Sequence, residues 1–161
     1  MALPVLVCAY PPAFPARAVA SPEPGGEPAS DAIQPAADAQ RYVDEVFASV
    51  TKTSDVVYGQ AVNHDGQLLQ LRLDLYQPTG DAETNRPAIV YIHGGSFESG
   101  DKSQGSDWLT RAAKRGYVGA SISYRVWPGA STDLAKLAWA IPAAQHDAQA
   151  ALRWLRAHAT Q

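Results

Sequence analysis

A run of four residues, His93-Gly94-Gly95-Ser96, directly follows the most hydrophobic stretch of the chain, Ala88–Ile92. A buried strand that ends in such a turn can present backbone N–H groups, because glycine lets the main chain turn sharply and approach a ligand closely. Preorganised N–H donors aimed at a tetrahedral oxyanion contribute about 3–4 kcal/mol each to an acyl transfer. The spacing therefore predicts an oxyanion-binding turn at residues 93–96.

A nucleophile to accompany this turn does not follow from the sequence, since the 161 residues contain no G-x-S-x-G elbow. Ser96 does not fit that motif, because Glu98 stands where the last glycine is needed. Two S-x-x-K strings, Ser49–Lys52 and Ser99–Lys102, lack the further motifs that a serine–lysine hydrolase requires. Asp147 is interpreted as a structural carboxylate in the first turn of a helix rather than as a triad acid. The sequence thus indicates half of an acyl-transfer site.

The composition narrows the function classes. Hydrophobic residues make up 46% and charged residues 18% of the chain, which is typical of a globular protein. The net charge of −3 gives no basic patch for nucleic acid. Cys8 is the single cysteine, which excludes an intrachain disulfide and a cysteine-based zinc site. No apolar run reaches the roughly 20 residues of a membrane span. We expect neither a metal nor a cofactor, and the sequence does not determine the oligomeric state.

The chain divides into three parts by composition. Residues 1–20 are apolar and end in Ala18-Val19-Ala20, a pattern typical of signal peptidase sites, although no basic n-region precedes them and prolines interrupt them. They are a candidate signal peptide, which predicts a secreted or periplasmic protein; the alternative is an apolar tail on a cytoplasmic one. Residues 21–40 are rich in Pro, Ala, Gly and acidic side chains, which predicts a disordered linker. Residues 41–161 are expected to hold the folded domain.

A short helix and then a β-hairpin are predicted at the start of this domain. The helix is expected over residues 39–49 and the first strand over residues 55–62. Asn63-His64-Asp65-Gly66 then forms a tight turn, with His64 exposed to solvent. The returning strand, residues 69–76, alternates leucines with polar or aromatic residues. Strict alternation predicts one packed face and one wet face, as in an antiparallel strand near a sheet edge.

A parallel unit follows the hairpin. Ala88–Ile92 is continuously apolar, as a strand covered on both faces must be. A helix over residues 106–115 and a strand over residues 117–123 complete a βαβ unit with a right-handed crossover. The buried side of that helix is predicted to carry Trp108, Leu109, Ala112 and Ala113. Pro142 is expected to open a second helix over residues 143–158.

Four strings carry a family resemblance: LDLYQP, PAIVYIHGGSFESGDK, SISYR and AALRWLRAHA. In this order they resemble the N-terminal half of the α/β-hydrolase fold. They are most similar to esterases and lipases with an HGG-type oxyanion motif, including hormone-sensitive-lipase-like carboxylesterases and feruloyl-esterase-like proteins. The resemblance spans about residues 54–159. It implies an incomplete α/β domain, an antiparallel hairpin followed by a parallel βαβ unit, truncated before the nucleophile elbow.

The resemblance also assigns roles to five residues. It implies that His93 and Gly94 support the oxyanion loop and that Gly95 and Ser96 supply its backbone N–H donors. Ser96 stands where the lipase branch often has a third glycine, and its N–H is retained. Phe97 is expected to line the substrate pocket or the core beneath it. A further implication is that the pair after Gly100, Asp101-Lys102, pins the loop.

The function that this resemblance implies is hydrolysis of a small-molecule carboxylic ester by a serine nucleophile in the full-length enzyme. Because the catalytic serine, acid and histidine are not among the matched residues, the 161-residue chain itself is expected to be inactive. Two alternatives remain at this point. One is an amide or peptide hydrolase of the same fold, such as an arylformamidase, and the other is a non-catalytic protein derived from the fold.

Overall fold

The computed structural model describes Val5–Leu6 and residues 39–159. The candidate signal peptide and the predicted linker therefore lie outside the described residues, apart from Val5–Leu6 and residues 39–40. The described elements are five strands, two α-helices and one 3₁₀ turn: β1 (Val5–Leu6), β2 (Val50–Val62), β3 (Leu68–Pro78), β4 (Ala88–Ile92), the 3₁₀ turn (Lys102–Gly105), α1 (Ser106–Lys114), β5 (Val118–Ile122) and α2 (Leu134–Ala157). None of these helices is long and apolar enough to cross a bilayer.

The strands form one mixed sheet in the order β1-β4-β5-β3-β2. β4 and β5 run parallel, with Val90 opposite Ala120, whereas β2, β3 and β5 pair antiparallel. The predicted antiparallel hairpin followed by a parallel βαβ unit is confirmed. The sequence did not suggest the antiparallel pairing of β1 with β4, in which Val5 lies opposite Val90.

Both faces of the sheet are covered. One core cluster, packed against α2, is built by Leu71, Leu73, Val90, Ile122 and Ala151 among others. The second, on the α1 side, contains Tyr76, Ile89, Leu109, Ala112 and Ala113.

The prediction that one face of β3 is exposed to solvent is therefore wrong. Tyr76 is only 1% exposed and Asp74 only 2%, because α1 and the loop that precedes it lie over this face. The leucine face is buried at Leu71 and Leu73, but Leu69 remains exposed near the hairpin end. Period-2 alternation identified the strand and misjudged its environment.

The α1 helix follows the predicted boundaries but not the whole predicted face. Leu109, Ala112 and Ala113 are buried, whereas Trp108 is 43% exposed. The buried stripe is the i, i+3, i+4 set that begins at Leu109, and Trp108 lies on its flank.

The helix predicted over residues 39–49 does not form. Residues 41–44 make a turn, with Tyr42 at a φ of 72°. The backbone N–H groups of Val46 and Phe47 donate to Lys114 O, and that of Tyr42 donates to Arg115 O. The last carbonyls of a helix have no partner within it, so this segment satisfies the C-terminus of α1 instead of forming a helix of its own.

The α2 helix begins eight residues before Pro142, at Leu134. The side chain of Asp133 caps it by accepting from the N–H groups of Ala135 and Lys136. Pro142 consequently lies inside the helix, where its ring costs about 3 kcal/mol. Ala140, Ala143 and Ala144 are buried on either side of Pro142, and their packing and the N-cap stabilise the helix against that cost.

Candidate functional site

The predicted oxyanion turn lies at the carboxyl end of β4, beside the carboxyl end of its parallel neighbour β5. Ligands of open α/β sheets bind at this edge. His93 is buried at 2% exposure, while Gly95 and Ser96 are exposed. The residues that follow β4 are therefore a buried histidine and then a turn that is exposed to solvent.

The backbone of the turn is unusual at three successive residues. Gly95 has a φ of 120°, Ser96 of 54° and Phe97 of 63°. A Cβ at position 95 would lie 2.1 Å from Ser99 O, so only glycine fits. The Gly95 carbonyl accepts from the N–H groups of Glu98 and Ser99 at 3.0 and 3.2 Å. The turn therefore points its carbonyl inward at its own loop.

The N–H groups of Gly95 and Ser96 are left unused. Within the described part of the chain, neither donates to a protein acceptor. An exposed pair of consecutive N–H groups held by a strained turn is suited to bind one anionic oxygen.

The His93 ring is buried and fixed by its neighbours. Its Nδ1 lies 2.8 Å from Gly94 O, and because a carbonyl can only accept, Nδ1 carries the proton. Tyr124 stacks on the ring at 4.1 Å and donates its hydroxyl to His93 O. Burial lowers the pKa of His93, which favours the uncharged ring at neutral pH. A Cβ at Gly100 would lie 2.4 Å from Nδ1, so the loop also passes too close for another residue.

Phe97 packs on the core beneath the turn. It is partly buried, contacts the cluster that contains Tyr124, and its ring lies 6.5 Å from the Tyr124 ring. This is one of the two environments expected for it; contact with a substrate stays a prediction.

A cluster of charges around the buried carboxylate of Asp74, which the sequence did not reveal, holds the segment after the turn. Lys102 Nζ lies 2.7 Å from Asp74 Oδ1, and Lys52 Nζ lies 2.9 Å from Asp74 Oδ2. Lys102 also donates its backbone N–H to Ser123 Oγ, and its carbonyl accepts from the hydroxyl of Ser121. The Lys102 part of the expected pin is thus present, anchored on β3 and β5, while Asp101 caps the 3₁₀ turn.

This cluster predicts an acid dependence of stability. Burial would raise the pKa of Asp74, but hydrogen bonds from Lys102 and Lys52 outweigh it and hold the pKa below its usual range. The contribution is therefore present above the unfolded pKa of about 3.9 and is lost as pH falls through the folded value. In urea unfolding, Asp74→Asn should be clearly less stable than the parent near neutral pH, with the difference shrinking below about pH 4. A difference that stays constant over this range would contradict the ion pair.

Arg125 and Asp147 form an ion pair of low solvent exposure that joins the loop after β5 to α2. Arg125 Nη2 lies 2.8 Å from Asp147 Oδ1, and the Arg125 N–H donates to Asp147 Oδ2 at 2.9 Å. Arg125 Nη1 also donates to Val62 O at 2.7 Å. Asp147 lies in the middle of α2 rather than in its first turn, because the helix starts at Leu134. Its carboxylate is committed to Arg125, in agreement with a structural role.

His64 is not exposed, contrary to the sequence-based expectation. Its ring stacks on Trp127 at 4.6 Å and meets Trp139 edge-on at 5.9 Å. The hairpin turn places it against the loop between β5 and α2, an arrangement that no local pattern encodes.

The described residues do not assemble a catalytic triad. No serine hydroxyl among them hydrogen-bonds to a histidine ring. Nor do residues 39–159 bring together three or more His, Cys, Asp or Glu side chains that could hold a metal ion.

A comparison with known protein families shows to which family this chain belongs. The family model described as BD-FAE matches residues 73–161, which include the turn, Asp74 with Lys102, and Arg125 with Asp147. The chain belongs to the BD-FAE family. No curated protein sequence matches this BD-FAE chain.

Solved structures similar to this BD-FAE chain are esterases. Est2, a thermophilic esterase from the Planctomycetes species Thermogutta terrifontis, is 30% identical over 75% of this chain and 38% of its own, with a TM-score of 0.50. Esterase B from Lactobacillus rhamnosis is 28% identical over 71% of this chain and 32% of its own, also with a TM-score of 0.50. The chain thus spans about a third of the length of these structures, 32% of one and 38% of the other.

Proposed function

We propose that this chain supplies the oxyanion-binding half of a carboxylic-ester hydrolase. The observation that carries the proposal is the pair of unused N–H groups on Gly95 and Ser96, at the carboxyl end of β4 in a BD-FAE chain. The esterase names of the similar structures favour an ester over an amide or peptide substrate.

In the proposed reaction a serine attacks the carbonyl carbon of a small ester, and the carbonyl oxygen gains the negative charge. The N–H groups of Gly95 and Ser96 donate to that oxygen and stabilise the tetrahedral intermediate by about 3–4 kcal/mol each. The serine, the base that takes its proton and the acid that orients the base come from outside the described residues. His93 is not that base in the proposal, because the nitrogen left to accept a proton, Nε2, is buried and has no hydrogen-bond partner among the described residues.

A chimeric protein, called the completed enzyme below, tests the proposal. It joins residues 1–161 to the part of Thermogutta esterase 2 that lies outside the 38% covered by this chain. We expect the completed enzyme to hydrolyse short-chain p-nitrophenyl esters, whereas the 161-residue chain should not exceed the buffer rate.

Two outcomes would contradict the proposal. One is a completed enzyme that melts cooperatively and shows no turnover of esters. The other is turnover by the 161-residue chain that disappears in Ser96→Ala, which would make Ser96 a nucleophile.

A further inference from the structure

The oxyanion turn contains strain that its own hydrogen bonds do not remove. Ser96 and Phe97 both have left-handed φ values, and each such non-glycine residue costs on the order of 1–2 kcal/mol. Conformations of this kind persist when surrounding contacts hold them. The relevant contacts come from the loop between β5 and α2.

Two groups of that loop reach the turn. The N–H of Trp127 donates to Phe97 O at 2.9 Å. Ser131 donates to the same carboxylate oxygen of Glu98 twice, from its hydroxyl at 2.6 Å and from its N–H at 3.1 Å. Residues 97 and 98 are therefore fixed from outside, directly after the two free N–H groups.

The loop is itself well anchored. His64 stacks on one side of Trp127, and Trp139 meets it edge-on at 5.5 Å. Ala130 is fully buried, and Lys136 Nζ donates to Pro128 O at 3.2 Å. A contact to this loop can therefore hold the turn in place.

From this geometry we propose that Glu98 is a positioning residue, which holds the oxyanion turn in its strained conformation through Ser131. The role of the turn in binding an oxyanion rests on the proposed function, whereas the contact between Glu98 and Ser131 is independent of it. Hydrogen bonds from Ser131 hold the pKa of Glu98 below its usual range, so at neutral pH the acceptor is a charged carboxylate. Charge-assisted bonds of this type are stronger than neutral ones.

The test is amide hydrogen exchange, followed by NMR, in the full 161-residue chain without substrate. In Glu98→Ala we expect faster exchange, by roughly fivefold, at Ser131 and also at Trp127 and Ser99, whose N–H groups do not donate to the Glu98 carboxylate. These two donate to Phe97 O and Gly95 O, so they report on the turn itself. Ser131→Ala should accelerate the same two amides, and Glu98→Gln, which keeps an acceptor, should fall between the parent and Glu98→Ala.

Glu83→Ala is the matched control. Glu83 is an exposed glutamate whose carboxylate also accepts two hydrogen bonds, but both come from the backbone N–H groups of its own neighbours Thr84 and Asn85. Parent exchange rates at Trp127 and Ser99 in Glu98→Ala would overturn the proposal, as would equal acceleration by Glu83→Ala. An inactive completed enzyme with accelerated exchange in Glu98→Ala would overturn the proposed function alone.

Discussion

Gly95→Ala in the completed enzyme should lower kcat by about 100- to 1000-fold, the loss typical of one missing oxyanion donor. The new Cβ would meet Ser99 O at 2.1 Å, and the φ of 120° is one that alanine rarely adopts. The turn must move, and the N–H groups of residues 95 and 96 move with it. Because the interaction forms only in the transition state, kcat and kcat/KM should fall together in steady-state assays.

Gly80→Ala separates this effect from a general response to alanine at a positive φ. Gly80 has a φ of 76°, and a Cβ there meets nothing within 4 Å. Its variant should keep kcat within about twofold of the parent. A folded Gly95→Ala enzyme with parent kcat would exclude Gly95 from the oxyanion site.

Asp147→Asn should lower the free energy of unfolding by about 3–5 kcal/mol, the usual cost of breaking a buried ion pair from one side. The Asp147 side chain is 2% exposed and that of Arg125 is 12% exposed, so the guanidinium would lose its charged partner away from bulk water. The loss should appear in urea unfolding as a lower midpoint with an unchanged slope.

The exposed pair of Glu45 and Lys114 provides the comparison. Its atoms lie 3.7 Å apart with side chains 40% and 35% exposed, so Glu45→Gln should cost less than about 1 kcal/mol. Equal losses of unfolding free energy in the two variants would show that the burial of the Arg125–Asp147 pair does not increase its contribution to stability.

The elements of the sheet were predictable because their signals are local. The alternating leucines of β3 indicate a strand by their period of two, and the short continuous apolar run Ala88–Ile92 indicates a strand covered on both faces. The start of α2 was not predictable in this way, since a proline inside a helix is tolerated only when tertiary packing offsets its cost. The prediction of a helix over residues 39–49 failed for a similar reason. Backbone N–H groups of this segment donate to the C-terminus of α1, a partner distant in sequence.

The candidate site was predictable as far as its backbone. The pattern His93-Gly94-Gly95-Ser96 indicates a turn that presents N–H groups, and the structure leaves those of Gly95 and Ser96 free within the described residues. The groups that hold the turn and the segment after it were not predicted, because Asp74 was expected on a face exposed to solvent and no sequence pattern marked Ser131. Both act across large sequence separations, 28 residues from Asp74 to Lys102 and 33 from Glu98 to Ser131.

The most direct measurement is a crystal structure of the completed enzyme whose catalytic serine carries a phosphonate, a mimic of the tetrahedral intermediate. The phosphonyl oxygen should lie about 2.7–3.1 Å from the backbone nitrogens of both Gly95 and Ser96. His93 should keep its contact with Gly94 O and remain out of reach of the phosphonate. An oxygen that points away from residues 95 and 96, or is bound by other donors, would contradict the assignment of this turn as the oxyanion site.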